Sequence, residues 1–207
     1  IRANDSLEDL TRKVRLATIL GTIQSTYTKF PYLRKVWATN TEAERLLGVS
    51  LTGIMDNKLM TTANAGLADT LEHLKNVAVS TNAEWADRLG IPHSTAITCV
   101  KPSGTVSQLV DSASGIHARH SPHYIRTVRG DNKDPLTQFM IDQGIPSEPD
   151  VMKPDATTVF SFPMQSPIGA VHTADMTAIQ QLEMWLMYQR HWCEHKPSVT
   201  INVKADE

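Results

Sequence analysis

The residues whose types and order are best suited to chemistry are Thr98-Cys99-Val100-Lys101-Pro102-Ser103-Gly104-Thr105-Val106-Ser107. They place a Pro-Ser-Gly-Thr turn at the carboxyl end of an apolar, strand-like run and ahead of a run suited to a helix. Free main-chain N–H groups at such a point bind anions, and glycine lets a phosphate approach the backbone closely. Ser103 and Thr105 add hydroxyl groups. In α/β folds, ligands settle beyond the carboxyl ends of strands, so the location agrees with the composition. The same residues also suit a tight turn with a hydroxyl cap, since the motif is short and is not a Walker loop.

Other clusters invite a metal. His117, His120 and His123 are spaced by three, and His191, Cys193 and His195 by two. Ser121-Pro122 interrupts a helix through the first set. The second set falls at the end of a predicted helix, where histidine is favoured by the dipole. Packing and capping are the simpler roles for both. Arg119, Arg126 and Arg129 follow the turn in sequence and are candidates either for contact with a triphosphate or a cofactor or for solvated charge. Cys99 lies inside a predicted strand and reads as a buried, inert thiol. Trp85, Trp185 and Trp192 read as packing anchors, and Met184 and Met187 as core filler.

These residues need elements to position them. Ser6 caps a helix predicted over residues 7–27, with Glu8 and Asp9 in its first turn and Leu7, Leu10, Val14, Ala17, Leu20 and Ile23 as its apolar stripe. Thr41 to Glu44 resembles a capping box that opens a short helix closed by Gly48. Val49 to Met55 reads as a buried strand. A helix over 65–89 carries Leu67, Leu71, Leu74 and Ala78 on one face and stops at Gly90 and Pro92. Strands follow over 95–100, 124–129 (buried on both faces) and 157–162. Between the last two, Asp134-Pro135 starts a helix and Gly144 stops it. Residues 145–156 read as a surface loop. A third long helix is expected over 174–194 and a fifth strand over 198–203. Strands alternating with helices predict an α/β protein with a largely parallel, helix-covered sheet, open or closed into a barrel.

Composition excludes several classes. The chain has 207 residues, 41% of them hydrophobic and 20% charged, with a net charge of -2. That balance suits a soluble globular domain and gives no basis for direct nucleic-acid binding. No run reaches the roughly 20 apolar residues of a membrane span, and no secretory signal opens the chain. Two distant cysteines, Cys99 and Cys193, argue against a disulfide scaffold and for a cytoplasmic setting. The opening at Ile1 and the stop just after a predicted strand lead us to expect a segment of a longer protein.

Lys101 to Ser107 resembles the substrate-phosphate loop of ribonucleotide reductases, in the form of the adenosylcobalamin-dependent (class II) enzymes. In the same order, Arg45-Leu46-Leu47-Gly48-Val49-Ser50-Leu51-Thr52-Gly53-Ile54-Met55-Asp56 is similar to the family's Gly-Val-x-Leu-Thr-Gly strand. Gly115-Ile116-His117 with Tyr124 to Arg129 resembles the segment after the loop, and Ser198 to Val203 a late barrel strand. The resemblance covers nearly the whole chain. It implies that residues 1–207 are the later part of a ten-stranded α/β barrel, incomplete in this chain. It also implies reduction of ribonucleotides to 2′-deoxyribonucleotides through a thiyl radical initiated by adenosylcobalamin. Ser103, Gly104, Thr105 and Val106 would then bind the phosphates of a ribonucleoside triphosphate, and a thioredoxin-like reductant would supply electrons.

The family's Asn-Pro-Cys-Gly-Glu finger loop does not occur in this sequence, and neither cysteine matches the family's redox positions. The expected place of that loop is upstream of Ile1, in the same polypeptide or a complementary chain, so this segment alone is expected to be inactive. The large subunit of a di-iron-dependent reductase and a non-catalytic nucleotide-binding half of a split enzyme stay open as alternatives.

Overall fold

The structure is a computed structural model that describes residues 1–205. The chain forms two compact units: Ile1–Arg119 together with the chain from Ile168 onward, and His120–Pro167.

In the first unit, α1 (Leu7–Gln24) begins at a complete capping box. The Asp9 amide donates to Ser6 Oγ at 3.2 Å, and the Ser6 amide donates to the Asp9 carboxylate at 3.1 Å. Its buried face is Leu10, Val14, Thr18 and Thr22. The expected stripe is thus rotated, with Leu20 68% exposed. Threonine can be buried here because each hydroxyl donates to the carbonyl one turn back, Thr18 to Val14 and Thr22 to Thr18, both at 2.8 Å. The next helix, α2 (Lys35–Glu44), ends where the sequence suggested a start. Thr41 lies in its last turn, its carbonyl accepting the Arg45 amide, and Arg45 closes the helix in the left-handed region at φ 47°.

Strand β1 (Val49–Ser50) is much shorter than the expected run to Met55. Gly53, at φ 79°, swings the chain into a 3-10 turn over Ile54–Asp56; Ile54 and Met55 are buried as anticipated, and Asp56 is buried with them. Helix α3 (Ala65–Leu89) matches its predicted limits. Asn64 accepts the Leu67 amide at 2.9 Å, and Gly90 at φ 66° ends it. Leu67, Leu71, Leu74 and Ala78 are buried, and α3 packs against α1. Strand β2 (Thr98–Cys99) pairs parallel with β1, Val49 opposite Thr98 and Ser50 opposite Cys99. A single turn of helix, α4 (Val106–Leu109), follows it.

The second unit holds β3 (His123–Asp131), α5 (Pro135–Asp142), β4 (Ser147–Pro149) and β5 (Thr157–Gln165). Asp134 caps α5 with Pro135 at its first position, as the sequence indicated, and Gly144 at φ 73° follows its end. The sheet is antiparallel, in the order β3-β5-β4, so the expectation of a largely parallel sheet fails here. Residues 145–156 include β4 and are more than a loop. On β3, Ile125 is 68% exposed, against the expectation of burial on both faces. Gly130 lies under α5, where a Cβ would collide with Thr137 Oγ1 and press on the Phe160 ring.

Back in the first unit, a 3-10 turn over Thr173–Asp175 precedes α6 (Ala178–His191), which is shorter than predicted. Thr177 and Gln180 form its capping box. Tyr188 and Trp192 are fully buried and satisfy their polar atoms on the backbone. The Tyr188 hydroxyl donates to the Met60 carbonyl at 2.9 Å, and Trp192 Nε1 donates to the Cys99 carbonyl at 2.8 Å. Residues 198–203 form no strand, against the expectation. The Ser198 amide reaches the Val100 carbonyl, and the Gln181 carboxamide pairs with Asn202, donating to its carbonyl at 3.0 Å and accepting its amide at 2.9 Å.

Candidate functional site

The turn from Lys101 to Val106 leaves the carboxyl end of β2, as the sequence suggested. The Lys101 amide donates to Ser50 Oγ at 3.0 Å, tying the start of the turn to β1. The Ser103 carbonyl accepts the Ser107 amide at 2.8 Å and the Thr105 carbonyl accepts the Gln108 amide at 3.0 Å, which closes α4. Ser103 is half-buried, whereas Gly104, Thr105 and Val106 are exposed. Among the described residues, the amides of Thr105 and Val106 have no acceptor within the chain. A Cβ on Gly104 would meet nothing within 4 Å, and its φ is not in the left-handed region. Neither packing nor conformation within this chain therefore requires glycine there. Space for something outside the chain is what it provides.

The turn rests on a second layer that the sequence did not single out. Thr52, just after β1, brings its hydroxyl within 2.6 Å of Ser103 Oγ, 2.9 Å of the Gly115 amide and 3.1 Å of the Ala113 carbonyl. Gly115 is in the left-handed region at φ 56° and runs beneath the turn, where a Cβ would sit 3.3 Å from the Lys101 carbonyl. A cavity of about 120 Å³ in the first unit is lined by Leu10, Lys13, Val14, Leu51 and Thr52, among others.

Below this lies a buried ion pair. Arg119 Nε and Nη2 donate to the two oxygens of Asp56, each at 2.9 Å, with side-chain exposures of 3% and 1%. Asp56 also accepts the Ala113 amide at 2.7 Å, and Arg119 Nη2 reaches the Asp111 carbonyl at 3.2 Å. Arg119 is therefore a fixed support for residues 111–115, and the idea that it is a phosphate ligand is corrected. Its guanidinium is buried and committed to Asp56. Arg126 and Arg129 lie on β3 in the second unit, and Arg129 pairs with Asp150 at 2.7 Å. The sequence does contain Thr52 and Asp56 in the Gly48-to-Asp56 stretch, but hydropathy makes that stretch a plain buried strand. Only the geometry gives them roles.

The remaining candidates settle into structural positions. His117 accepts the Thr200 amide at Nε2 and contacts the Ser114 carbonyl through Nδ1, an arrangement that fits the neutral Nδ1–H tautomer. His191 pairs with Glu72, and among the described residues no group of three His, Cys, Asp or Glu side chains is placed to hold a metal ion. Cys99 and Cys193 are both buried. Burial raises the Cys99 thiol pKa and pushes that of Cys193 up to about 12, so both are inert thiols. Glu194 faces desolvation, yet the amides of Thr98 and Ile97, at 2.8 and 2.5 Å, outweigh it and draw its carboxyl below the usual glutamate range. No helix among the described residues is long and apolar enough to cross a membrane.

Comparison with known proteins bears on the same region. No family model matches the chain. The adenosylcobalamin-dependent ribonucleoside-triphosphate reductase of Euglena gracilis is 29% identical over 204 residues, covering 96% of this chain and 27% of that protein. A probable enzyme of the same name from Dictyostelium discoideum is 27% identical, covering 96% of this chain and 26% of its own. The Lactobacillus gasseri enzyme is 27% identical over 86% of this chain. The chain spans about a quarter of the length of these curated relatives. Among solved structures, a crystal structure of a B-12 dependent (class II) ribonucleotide reductase superposes with a TM-score of 0.78 at 21% identity, covering 93% of this chain and 30% of that one. The fold of this chain is thus the fold of part of a class II reductase, and along nearly its whole length its sequence is similar to enzymes named adenosylcobalamin-dependent ribonucleoside-triphosphate reductase.

Proposed function

We propose that this chain is the part of an adenosylcobalamin-dependent ribonucleoside-triphosphate reductase that follows the finger loop of the ten-stranded barrel, and that its turn at Ser103, Gly104, Thr105 and Val106 binds the substrate phosphates. One observation carries the reading. An exposed turn at the end of a parallel strand offers two amides without acceptors beside a glycine that the chain itself does not need. Anions bind where such donors converge.

In the reaction, the ribose 2′ C–O bond breaks and its oxygen leaves as water, while a thioredoxin-like dithiol gives two electrons and two protons and becomes a disulfide. When bound, adenosylcobalamin supplies the radical chemistry that an unactivated C–H bond requires. Among the described residues, the unpartnered buried polar atoms do not point to a seat for it. The buried polar atoms without partners, Trp85 Nε1, Ser112 Oγ and His172 Nε2, lie on α3, after α4 and before α6, and frame no single cradle. We therefore assign this chain substrate positioning alone: it holds the phosphate end so that the ribose is presented in one orientation.

The test is a calorimetric titration of the full-length protein with ATP. Gly104→Val is expected to weaken binding roughly tenfold, about 1.4 kcal/mol, with the circular dichroism spectrum unchanged. Unaltered affinity overturns the phosphate assignment. Nucleotide reduction that proceeds equally well without adenosylcobalamin assigns the chain to the di-iron-dependent class instead.

A further inference from the structure

We infer that Thr52 is the positioning residue of the phosphate turn and that it accepts the hydrogen bond of the Ser103 hydroxyl. This rests on the phosphate reading above and deepens it. A threonine hydroxyl has one proton to give and two lone pairs to receive with. Thr52 donates to the Ala113 carbonyl at 3.1 Å and accepts the Gly115 amide at 2.9 Å. What is left is one lone pair, and 2.6 Å away stands Ser103 Oγ. With its own proton given to Ala113, Thr52 is the acceptor in that contact and Ser103 is the donor.

Two consequences follow. Phosphate oxygens at neutral pH only accept hydrogen bonds, so a Ser103 hydroxyl committed inward has nothing to offer them. Its lone pairs face Ser114 Oγ, 3.5 Å away, and the exterior. Phosphate recognition then falls to the main-chain amides of Thr105 and Val106, and Ser103 acts as a tether. Thr52 in turn fastens three segments at one atom: the end of β1, the turn after β2, and residues 113–115 beneath it. The peptide of Ala113 is gripped on both sides, its amide by the Asp56 carboxylate and its carbonyl by the Thr52 hydroxyl and the Gly53 amide. The tether therefore leads down into the buried Asp56–Arg119 pair, and the turn inherits that rigidity.

The experiment uses the full-length protein, ATP as the titrated probe, and steady-state reduction to separate KM from kcat. Thr52→Val is expected to weaken ATP binding and raise KM roughly tenfold while leaving kcat within about twofold. Thr52→Ser, which keeps the hydroxyl, restores both. Ser103→Ala lies on the half-exposed turn and is safe for folding even if the valine variant is not. It is expected to weaken ATP binding by about threefold and to add nothing when combined with Thr52→Val, because both changes remove the same bond. Wild-type affinity in Thr52→Val, alongside lost affinity in Gly104→Val, overturns the inference and leaves the phosphate reading standing. Wild-type affinity in both variants overturns the two together. Additive losses in the double variant mean that Ser103 gives its proton to the ligand, which also overturns the inference.

Discussion

Asp56 and Asp150 are both buried and each holds an arginine, but the surroundings of the two arginines are opposite. In the first unit, Asp56 and Arg119 meet in a two-pronged pair with almost no solvent contact, and the same carboxylate holds the Ala113 amide. In the second unit, Asp150 accepts a single bond from Arg129, whose side chain is 65% exposed. The first arrangement removes two full charges from water, so it is tolerable only because nearly every donor and acceptor is matched. The second leaves the arginine in water, while Asp150 keeps the amides of Met152 and Lys153 whether or not Arg129 is there, so less depends on the ion pair. The difference shows where the molecule invests in rigidity: under the candidate site and not along the antiparallel sheet.

This contrast can be broken by experiment. Asp56→Ala is expected to have the largest effect. It strands the Arg119 guanidinium in the interior and should cost about 3–5 kcal/mol, measured by urea unfolding followed by tryptophan fluorescence. A loss below about 1 kcal/mol means that the pair behaves like a surface one, and the contrast disappears. Glu194 is intermediate. Its folded pKa lies below the ordinary value, so its stabilisation is present above the unfolded glutamate pKa and is lost as pH falls through the folded one. Glu194→Gln should flatten the acid limb of the stability profile and leave neutral pH the less stable of the two comparisons with wild type. An unchanged acid limb rules this out. The smallest effect is expected for Arg129→Met. Asp150 is held below the usual carboxylate range first by its bond to Arg129, but the amides of Met152 and Lys153 also hold it. The unfolding midpoint of the variant should stay within experimental error, and a clear shift shows that the second unit depends on this ion pair too.

Much of the first unit was legible before the structure. Ser6 and Gly90 mark helix ends because caps act locally, within a few residues. The turn at Ser103 to Val106 was locatable for the same reason. Strand direction was not. β3 and β5 are apolar enough to pass for buried parallel strands, and the intervening α5 imitates a crossover helix. The chain between them instead includes β4, a Ser-Glu-Pro stretch with no strand propensity of its own, which pairs with β5. The stripe of α1 misled because Thr18 and Thr22 count as polar, although their hydroxyls are satisfied by their own helix. The pairings of Thr52, Asp56 and Arg119 were out of reach because partners 51 to 63 residues apart leave no local signature.

Gln181 shows how far such non-local chemistry extends. A carboxamide has the same donor and acceptor as a peptide unit, and here one side chain of α6 stands in for a neighbouring strand. It clasps Asn202 from both sides of one residue, where a ladder would need several. The tail of the described chain is consequently secured by single bonds to different elements in turn, Ser198 to Val100, Thr200 to His117, Asn202 to Gln181 and Lys204 to Ala174, and not by a ladder to one strand. Losing any one of these bonds leaves the others in place, whereas a slip in a stitched sheet edge breaks the whole ladder.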